Sequence, residues 1–383
     1  MSAAQVLVIG GGASGLSSAA ALARRGIDAV VLEQDAGIGG TWARRYDRLR
    51  LHTMRQFSGL AHWPIPRRYP RYLSRDHVVD YLREYANHFG LRICGGTTVR
   101  RIQSDGDRWI VETDADTWRA LVVVIATGQY REPIIPTWPG RTEYRGRLVH
   151  SVEYRNAASF QNQRVLVVGA GNSGAEIATD LVDHGAAAVA ISIRTPPPIV
   201  PRDPFGMPVQ RTSLLLSALP AAVANGIGRT TARLALGDLT RYGMPHTDFN
   251  PYTTRRVPLI DVGFVDVLKR GRLAIRAAVE ALTETGAAFA DGSRGTFDAV
   301  VAATGFATGL ETMLDAPGVL DDHGEPLGVD GRATAAPGLF FVGFTHSLRG
   351  HLFEANRASR RLAAHVKHYL TSAGGCAARA SSR

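Results

Sequence analysis

Short continuous apolar runs alternate with helical patterns at the start of the chain, which predicts parallel strands joined by helices. Residues 5–9 form such a run, residues 16–25 are rich in Ala and Leu and end at Gly26, and residues 29–32 form a second apolar run. The glycine is typical of a helix end. The first 32 residues therefore predict a βαβ unit within an α/β fold.

A glycine-rich loop joins the first strand to the first helix, with three glycines in the spacing Gly-x-Gly-x-x-Gly. Glycines at these positions let the backbone approach a pyrophosphate at the helix N-terminus. The second strand ends at an acid, which can accept hydrogen bonds from ribose hydroxyls and disfavours a 2′-phosphate. The unit predicts an FAD site, whose expected contacts are Gly10, Gly12, Ala13, Ser14, Gly15 and Glu33.

The same pattern returns in mid-chain, where the apolar run 164–168 enters a second glycine loop followed by a helix to His184. The next strand ends at Arg194 instead of an acid. A guanidinium can hold a 2′-phosphate with two hydrogen bonds, so this unit predicts NADPH; a solvated strand end is the alternative. The expected contacts are Gly169, Gly171, Asn172, Ser173, Gly174 and Arg194.

Further apolar strands end in small residues, where backbone can approach a ligand. Residues 121–125 and 299–303 are both expected to return to the first sheet, and residues 339–342 form a third such strand. The small residues that follow them, expected to contact cofactor, are Thr127, Gly128, Thr304, Gly305 and Gly343.

The order of these patterns predicts two Rossmann-like dinucleotide-binding domains, with the NADPH domain inserted into the FAD domain. The predicted FAD domain comprises residues 1–154 and 292–370, and the NADPH domain comprises residues 155–291 with a variable substrate-side region at 195–256. Residues 371–383 are small and polar without an apolar period, which predicts a flexible tail.

Charge and cysteine content exclude several classes of function. The 44 Lys and Arg residues exceed the 34 Asp and Glu residues, yet the arginines are scattered instead of forming a stripe with aromatics, so nucleic acid is not the expected partner. Two distant cysteines without metal-ligand spacing exclude disulfide exchange and predict no metal site. No apolar run is long enough to span a bilayer, which predicts a cytoplasmic protein. A homodimer is the candidate assembly, and the sequence leaves open whether the apolar residues 214–236 form an interface.

A motif between the two loops carries a family resemblance. Tyr144-x-Gly146, followed by His150 and Tyr154 at four-residue steps, resembles the identifying motif of flavin-containing monooxygenases. Baeyer–Villiger members end this motif with Trp followed by Pro or Asp, and Tyr154-Arg155 argues against that reaction. The segment 39–42 occurs in both groups, and it implies cofactor contacts at Gly40, Thr41 and Trp42.

The resemblance covers nearly the whole chain and comes nearest to the YUCCA-type indole-3-pyruvate monooxygenases, through residues 46–52, 167–177 and 258–263. It implies a class B flavoprotein with FAD and NADPH that oxygenates through a C4a-hydroperoxyflavin. His52 takes the place where animal-type members carry Asn near the flavin, so His52 is a catalytic candidate, with a core histidine as the alternative. Asn172 in the second loop is the other candidate, as an anchor for the NADP⁺ that the resemblance implies is retained during oxygen transfer. Val99 is a further expected cofactor contact.

The implied substrate is an aromatic 2-oxo acid such as indole-3-pyruvate, with O2 as co-substrate and oxidative decarboxylation as the reaction. N- or S-oxygenation of a specialised metabolite is an alternative, and an NADPH oxidase or redox-sensing flavoprotein is another. A 2-oxo acid requires a cationic partner, and the candidates in the variable region are Arg202, Arg211, Arg255 and Arg256, each of which could instead be a surface residue.

Overall fold

The computed structural model describes residues 2–254, 257–345 and 347–380, with side chains up to residue 372. Its strands are β1 (Ser2–Ile9), β2 (Ala29–Leu32), β3 (Arg92–Cys94), β4 (Val99–Asp105), β5 (Arg108–Thr113), β6 (Thr117–Ile125), β7 (Glu132–Pro133), β8 (Arg147–His150), β9 (Arg164–Val168), β10 (Ala188–Ser192), β11 (Ile199–Pro201), β12 (Leu259–Asp261), β13 (Leu273–Arg276), β14 (Val279–Thr283), β15 (Gly286–Phe289), β16 (Arg294–Thr296), β17 (Ala299–Ala302), β18 (Phe306–Ala307), β19 (Leu314–Asp315) and β20 (Leu339–Phe341).

The α-helices are α1 (Ala13–Ala23), α2 (Gly40–Ala43), α3 (Arg75–His88), α4 (Asn172–Asp183), α5 (Val209–Leu216), α6 (Ala221–Leu236), α7 (Pro251–Thr254), α8 (Phe264–Lys269) and α9 (His351–Ala380). Short 3-10 turns lie at Arg55–Phe57, Ala157–Phe160, Pro204–Gly206 and Leu239–Tyr242. Two parallel βαβ units, β1-α1-β2 and β9-α4-β10, dominate the arrangement as the apolar pattern predicts.

The first sheet has eight strands in the order β19-β4-β5-β6-β1-β2-β3, with β20 on the carboxyl half of β6. The central strands are parallel, and the β4–β5–β6 meander adds antiparallel strands. One face buries Leu7 and Ile9 against Trp109, whereas the other buries Val6 and Val8 against α1 and α9. The strictly apolar strands follow from this burial on both faces.

The second sheet is parallel throughout, in the order β13-β10-β9-β17-β8. The prediction that 299–303 returns to the first sheet is wrong, because β17 lies between β9 and β8 in the second sheet. A buried apolar strand has the same pattern in either sheet, and only its pairing decides which sheet it joins. With β8 before residue 155 and β17 after residue 291, the second sheet extends past both predicted limits of the NADPH domain.

The two units are joined at their carboxyl edges by a short antiparallel pair of β7 and β18. These strands belong to the two crossing segments that follow β6 and β17, so the chain passes between the units at one place. Ligand crevices of open α/β sheets lie at the carboxyl ends of the strands. The crossing therefore places both glycine loops beside a common space.

The last helix extends into the segment that the sequence predicts as a flexible tail. Helix α9 runs from His351 to Ala380, so it includes most of residues 371–383, and the final three residues lie outside the described part. Its N-terminal half packs on α1, where Ser18 Oγ and Ser359 Oγ are 3.2 Å apart in the buried contact. The helix is anchored there, and a helix that is already nucleated can add further turns without a second nucleation cost.

None of the helices in the described part of the chain combines the length and the apolar character that crossing a lipid bilayer requires. The described residues also contain no cluster of three His, Cys, Asp or Glu side chains that could hold a metal ion.

Candidate active site

The first glycine loop opens into a cavity of 720 Å³ that residues of both units line. Gly10 has a φ of +106°, and a Cβ on it would lie 2.8 Å from the carbonyl oxygen of Ala126. A Cβ on Gly15 would lie 1.8 Å from the carbonyl oxygen of Gly10, so this glycine allows α1 to pack on β1. Gly12 has an ordinary φ of −76° and nothing within 4 Å of its Cβ position. The space over Gly12 is therefore open to a ligand.

The second loop repeats this geometry. Gly169 also has a φ of +106°, and a Cβ on Gly174 would lie 1.9 Å from the carbonyl oxygen of Gly169. Gly171 has open space at its Cβ position, like its counterpart in the first loop. The helix amides and dipole at each loop favour a negatively charged group there. Two such cradles in one cavity fit two dinucleotides.

The acid at the end of β2 is buried and oriented by the backbone. Glu33 Oε2 accepts from the Gly11 N–H at 2.5 Å, and Oε1 accepts from the Asp35 N–H at 2.9 Å. Each carboxylate oxygen retains a lone pair for a further donor. Because Glu33 also lines the cavity, it can receive ribose hydroxyls, which fits the predicted role.

The structure brings most of the predicted site residues together. Those that line the cavity are Gly10, Gly12, Ala13, Ser14, Glu33, Thr41, Trp42, His52, Val99, Thr127, Gly128, Gly171, Asn172, Ser173, Gly174, Gly305 and Gly343. Gly15, Gly40, Gly169, Arg194 and Thr304 do not line it. Gly40 packs on Asp35, and the Thr304 hydroxyl donates to the Ile134 carbonyl. The cofactor contacts of individual residues remain predictions.

Arg194 is exposed and follows β10 by two residues. A side chain there lies where the motif places the adenosine ribose. We expect Arg194→Ala to raise the KM for NADPH by about tenfold and to leave the KM for NADH almost unchanged, because only NADPH carries the 2′-phosphate. Steady-state kinetics with both coenzymes checks this. Equal changes in the two constants would show that Arg194 does not bind the 2′-phosphate.

A histidine and a glutamate connect the two units inside the cavity wall. His52 Nε2 donates to Glu176 Oε1 at 2.7 Å, and the glutamate side chain is only 4% exposed. Tyr46 has Ser173 and Glu176 as hydrogen-bonding neighbours, and burial, followed by the Glu176 charge, raises the Tyr46 pKa well above its ordinary value. Because Glu176 lies on α4 and His52 on the segment after α2, the pair aligns the second loop with the first unit.

Asn172 uses its side chain to hold the segment around β12. Its Oδ1 accepts from the Ile260 N–H at 2.7 Å, and its Nδ2 donates to the Pro258 carbonyl at 3.2 Å. These contacts position the wall of the cavity beside the second loop. A catalytic role for Asn172 remains a prediction, and its contacts in the protein are those of a positioning residue.

Two buried polar atoms of the cavity wall have no hydrogen-bond partner among the described residues, namely Thr127 Oγ1 and Gln129 Oε1. Both lie just after β6, at the carboxyl end of the first sheet. Buried polar atoms are almost always paired, so unpaired ones beside an open cradle indicate a missing ligand. The residues present therefore fit a flavin dinucleotide on the first unit.

The motif from Tyr144 to Tyr154 has a structural role. The Tyr144 hydroxyl donates to the Phe297 carbonyl at 2.9 Å, and the buried Tyr154 hydroxyl donates to Asp180 Oδ2 at 2.7 Å. His150 Nδ1 accepts from the Val152 N–H at 3.2 Å, so its Nε2 carries the proton and donates to the Gly305 carbonyl at 3.0 Å. Burial lowers the His150 pKa, which favours this neutral form.

Sequence reasoning missed Gln129 and Tyr130, which meet His351 on the cavity wall. Tyr130 Oη lies 3.0 Å from His351 Nε2, and Gln129 Nε2 lies 3.2 Å from the same atom. Both residues directly follow Gly128, after a strand that ends at the cavity, and this position is the signal that could have found them. Glu176 was also missed, although it lies on α4 two residues after the second glycine motif.

Of the arginines suggested for an anionic substrate, Arg202 and Arg211 do not line the cavity. Arg202 pairs with Asp203 and stacks on Tyr72, with its guanidinium carbon 4.2 Å from the ring centroid. Arg211 is exposed outside the cavity, whereas Arg255 and Arg256 lie outside the described residues. The variable region contributes apolar wall instead, including Leu216, Phe249 and Tyr252.

Two dinucleotide cradles in one cavity, with a buried acid lining it beside the first, are the arrangement of a flavoprotein that takes reducing equivalents from a pyridine nucleotide. Comparison with known proteins narrows this class. Residues 3–317 match the family described as Flavin-binding monooxygenase-like. The indole-3-pyruvate monooxygenase YUCCA1 of Oryza sativa subsp. japonica is 35% identical over 350 residues, which are 88% of this chain and 86% of that protein.

Solved structures agree with this assignment. A flavin-containing monooxygenase from Stenotrophomonas maltophilia superposes with a TM-score of 0.75 at 26% identity, covering 97% of this chain and 100% of the other. Cyclohexanone monooxygenase in its Loose conformation has a TM-score of 0.75 at 20% identity over 97% of this chain and 89% of its own, and it shows a shared fold alone. The chain belongs to the flavin-binding monooxygenase-like family. It is an NADPH-dependent flavin monooxygenase, and its cofactors are FAD and NADPH.

Proposed function

We propose that this monooxygenase converts an aromatic 2-oxo acid, such as indole-3-pyruvate, to the carboxylic acid one carbon shorter. One oxygen atom of O2 enters the product as the bond to the carboxyl carbon breaks and CO2 leaves. The other oxygen atom is reduced to water with two electrons from NADPH and two protons. The observation that carries the proposal is the 35% identity to an indole-3-pyruvate monooxygenase over most of both chains.

When bound, the flavin accepts hydride from NADPH and activates O2, and the chain provides binding, orientation and shielding. The apolar wall formed by Leu216, Phe249 and Tyr252 suits an aromatic ring. Burial raises the Tyr252 pKa, so its hydroxyl is neutral and donates to Ser213 Oγ at 3.4 Å. This wall supports an aromatic substrate over a small polar one.

Exclusion of water favours oxygen transfer over release of hydrogen peroxide. The buried Gln210 joins three segments of the wall, because its Oε1 accepts from the Met54 N–H and its Nε2 donates to the Arg349 carbonyl, both at 2.7 Å. Helix α5 is thereby tied to the segments before α3 and α9. The residue is suited to keep the substrate side of the cavity closed.

N- or S-oxygenation on the same scaffold is the second candidate, because an apolar cavity also accepts an amine or a thioether. An NADPH oxidase or redox-sensing flavoprotein is the third candidate, and the product of turnover separates it from the others. The expected cytoplasmic location and the homodimer remain predictions.

The test is aerobic turnover of the purified yellow protein with NADPH and indole-3-pyruvate, measuring indole-3-acetate, CO2 and hydrogen peroxide together. We expect one indole-3-acetate for each NADPH consumed. Indole-3-lactate is the matched control, since it has the same ring and carboxylate without the ketone, and it should yield no indole-3-acetate. Peroxide equal to NADPH consumed with every substrate would support the oxidase, whereas an N- or S-oxide would support the second candidate.

A further inference from the structure

Among the residues that the structure describes, three arginines line the cavity, and they differ in their partners. Arg131 donates to the Gly309 carbonyl at 2.7 Å and lies 3.7 Å from Glu132, whereas Arg50 is exposed. Arg45 is half-buried, and its guanidinium makes no hydrogen bond or ion pair with the residues described. Its contact is the ring of Phe306, whose centroid lies 5.0 Å from the guanidinium carbon.

The Arg45 guanidinium carries a positive charge that none of the described residues neutralises. Burial lowers its pKa from the ordinary value, while the neighbouring Tyr46 and Tyr130 act in the opposite direction and the charge of Arg44 adds to the lowering. A cation–π contact compensates only part of the cost of removing a charge from water. Arg44 is the contrasting case, since it donates to both carboxylate oxygens of Asp35 at 2.7 and 2.9 Å. An uncompensated cation on a cavity wall is suited to an anionic ligand.

The position of Arg45 matches the expected path of such a ligand. Phe306 directly follows Gly305 at the carboxyl end of β17, and β17 pairs with β9, which enters the second glycine loop. A dinucleotide bound at that loop and extending toward the first unit crosses the carboxyl end of β17. Arg45 belongs to the first unit and stacks on a residue after β17, so it can reach a ligand held between the units.

We propose that Arg45 is the oxyanion-binding residue of this cavity, whose planar guanidinium takes a phosphate of NADPH or the carboxylate of the organic substrate. Both groups present two oxygens at a spacing that a guanidinium matches with paired hydrogen bonds. Phe306 holds the guanidinium plane ready for this contact. The carboxylate form of the inference rests on the proposed function, and the phosphate form does not.

The test compares Arg45→Gln with Arg44→Gln, which removes an adjacent arginine that is already paired outside the cavity. Calorimetric titration of the oxidised holoenzyme with NADP⁺ measures the phosphate contact without turnover. Titration with indole-3-acetate, followed by the absorbance of the bound flavin, measures the carboxylate contact. Thermal unfolding of both variants reports any structural role.

We expect Arg45→Gln to weaken one of the two ligands by about 10- to 100-fold, the range for a hydrogen bond to a charged group. The melting temperature should stay constant or rise, because the variant removes an unpaired charge. Arg44→Gln should leave both affinities unchanged. Weaker NADP⁺ identifies the phosphate, and weaker indole-3-acetate with unchanged NADP⁺ identifies the carboxylate.

Unchanged affinity for both ligands, with or without a lower melting temperature, would overturn the inference and leave Arg45 a structural residue. Failure of the proposed function is a separate result, since it requires that the wild-type protein form no indole-3-acetate from indole-3-pyruvate. The NADP⁺ titration remains decisive for the phosphate form in that case. Arg45→Lys refines a positive result, because it retains the charge but loses the planar stack and recovers only part of the affinity.

Discussion

Gly12→Val protein is expected to fold and to be purified without its flavin. The Gly12 backbone has φ and ψ of −76° and −175°, which any residue adopts, and nothing in the protein lies within 4 Å of its Cβ position. The added side chain therefore occupies the open cradle where a pyrophosphate approaches the helix. Valine is a poor N-cap, so we expect a stability cost of about 1 kcal/mol and nearly complete loss of bound FAD. Absorbance near the flavin bands, relative to protein concentration, measures the occupancy.

Gly171→Val is the matched control at the second loop, where the Cβ position is equally open. This variant should retain its yellow colour and lose affinity for NADP⁺, the reverse of the first variant. Gly15→Val serves as the contrast, since its Cβ would lie 1.8 Å from a backbone oxygen and the fold itself should fail. A Gly12→Val protein with stoichiometric flavin would refute the assignment of the first cradle.

His52→Ala is expected to destabilise the protein by about 2 kcal/mol, within the range for leaving a buried hydrogen-bonding group without its partner. The imidazole donates to a Glu176 carboxylate that is 4% exposed, so its loss leaves a buried acceptor without this donor. Tyr46 remains beside the carboxylate and limits the cost. Urea unfolding of the flavin-loaded protein measures the change in the free energy of unfolding.

Glu176→Gln is the matched variant, because its amide oxygen still accepts from the imidazole while the charge is removed. It should cost clearly less than His52→Ala. The double variant His52→Ala with Glu176→Ala closes a thermodynamic cycle, and a coupling energy above about 1 kcal/mol is expected for groups in direct contact. Additive effects would show that the two side chains act independently and that the units are aligned by other contacts.

Much of the site follows from local sequence. Each glycine loop lies between an apolar strand and a helix, and the fold reproduces both loops with the same φ of +106° at the first glycine. Glu33 and Arg194 follow their strands at the spacing that the motif requires. The family resemblance also rests on such short segments, and the match to residues 3–317 confirms it.

Other features depend on pairing across the chain. The strand from 299 to 303 has a pattern that suits either sheet, and its hydrogen bonds with β8 and β9 place it in the second one. Helix α9 continues into sequence without an apolar period, because its first half is anchored on α1. Neither outcome is encoded in the local pattern.

The amino-acid sequence by itself determined the two nucleotide units, their order and the family, because strand, glycine loop and helix are local signals set by backbone geometry. Tertiary structure alone decided which charged groups are paired. Arg44 and Arg45 are neighbours in the sequence, yet one pairs with Asp35 and the other faces the cavity beside Phe306. His52 and Glu176 meet across 124 residues of chain. Such contacts depend on how the two units pack. Packing brings together residues whose separation along the chain gives no sign that they will meet.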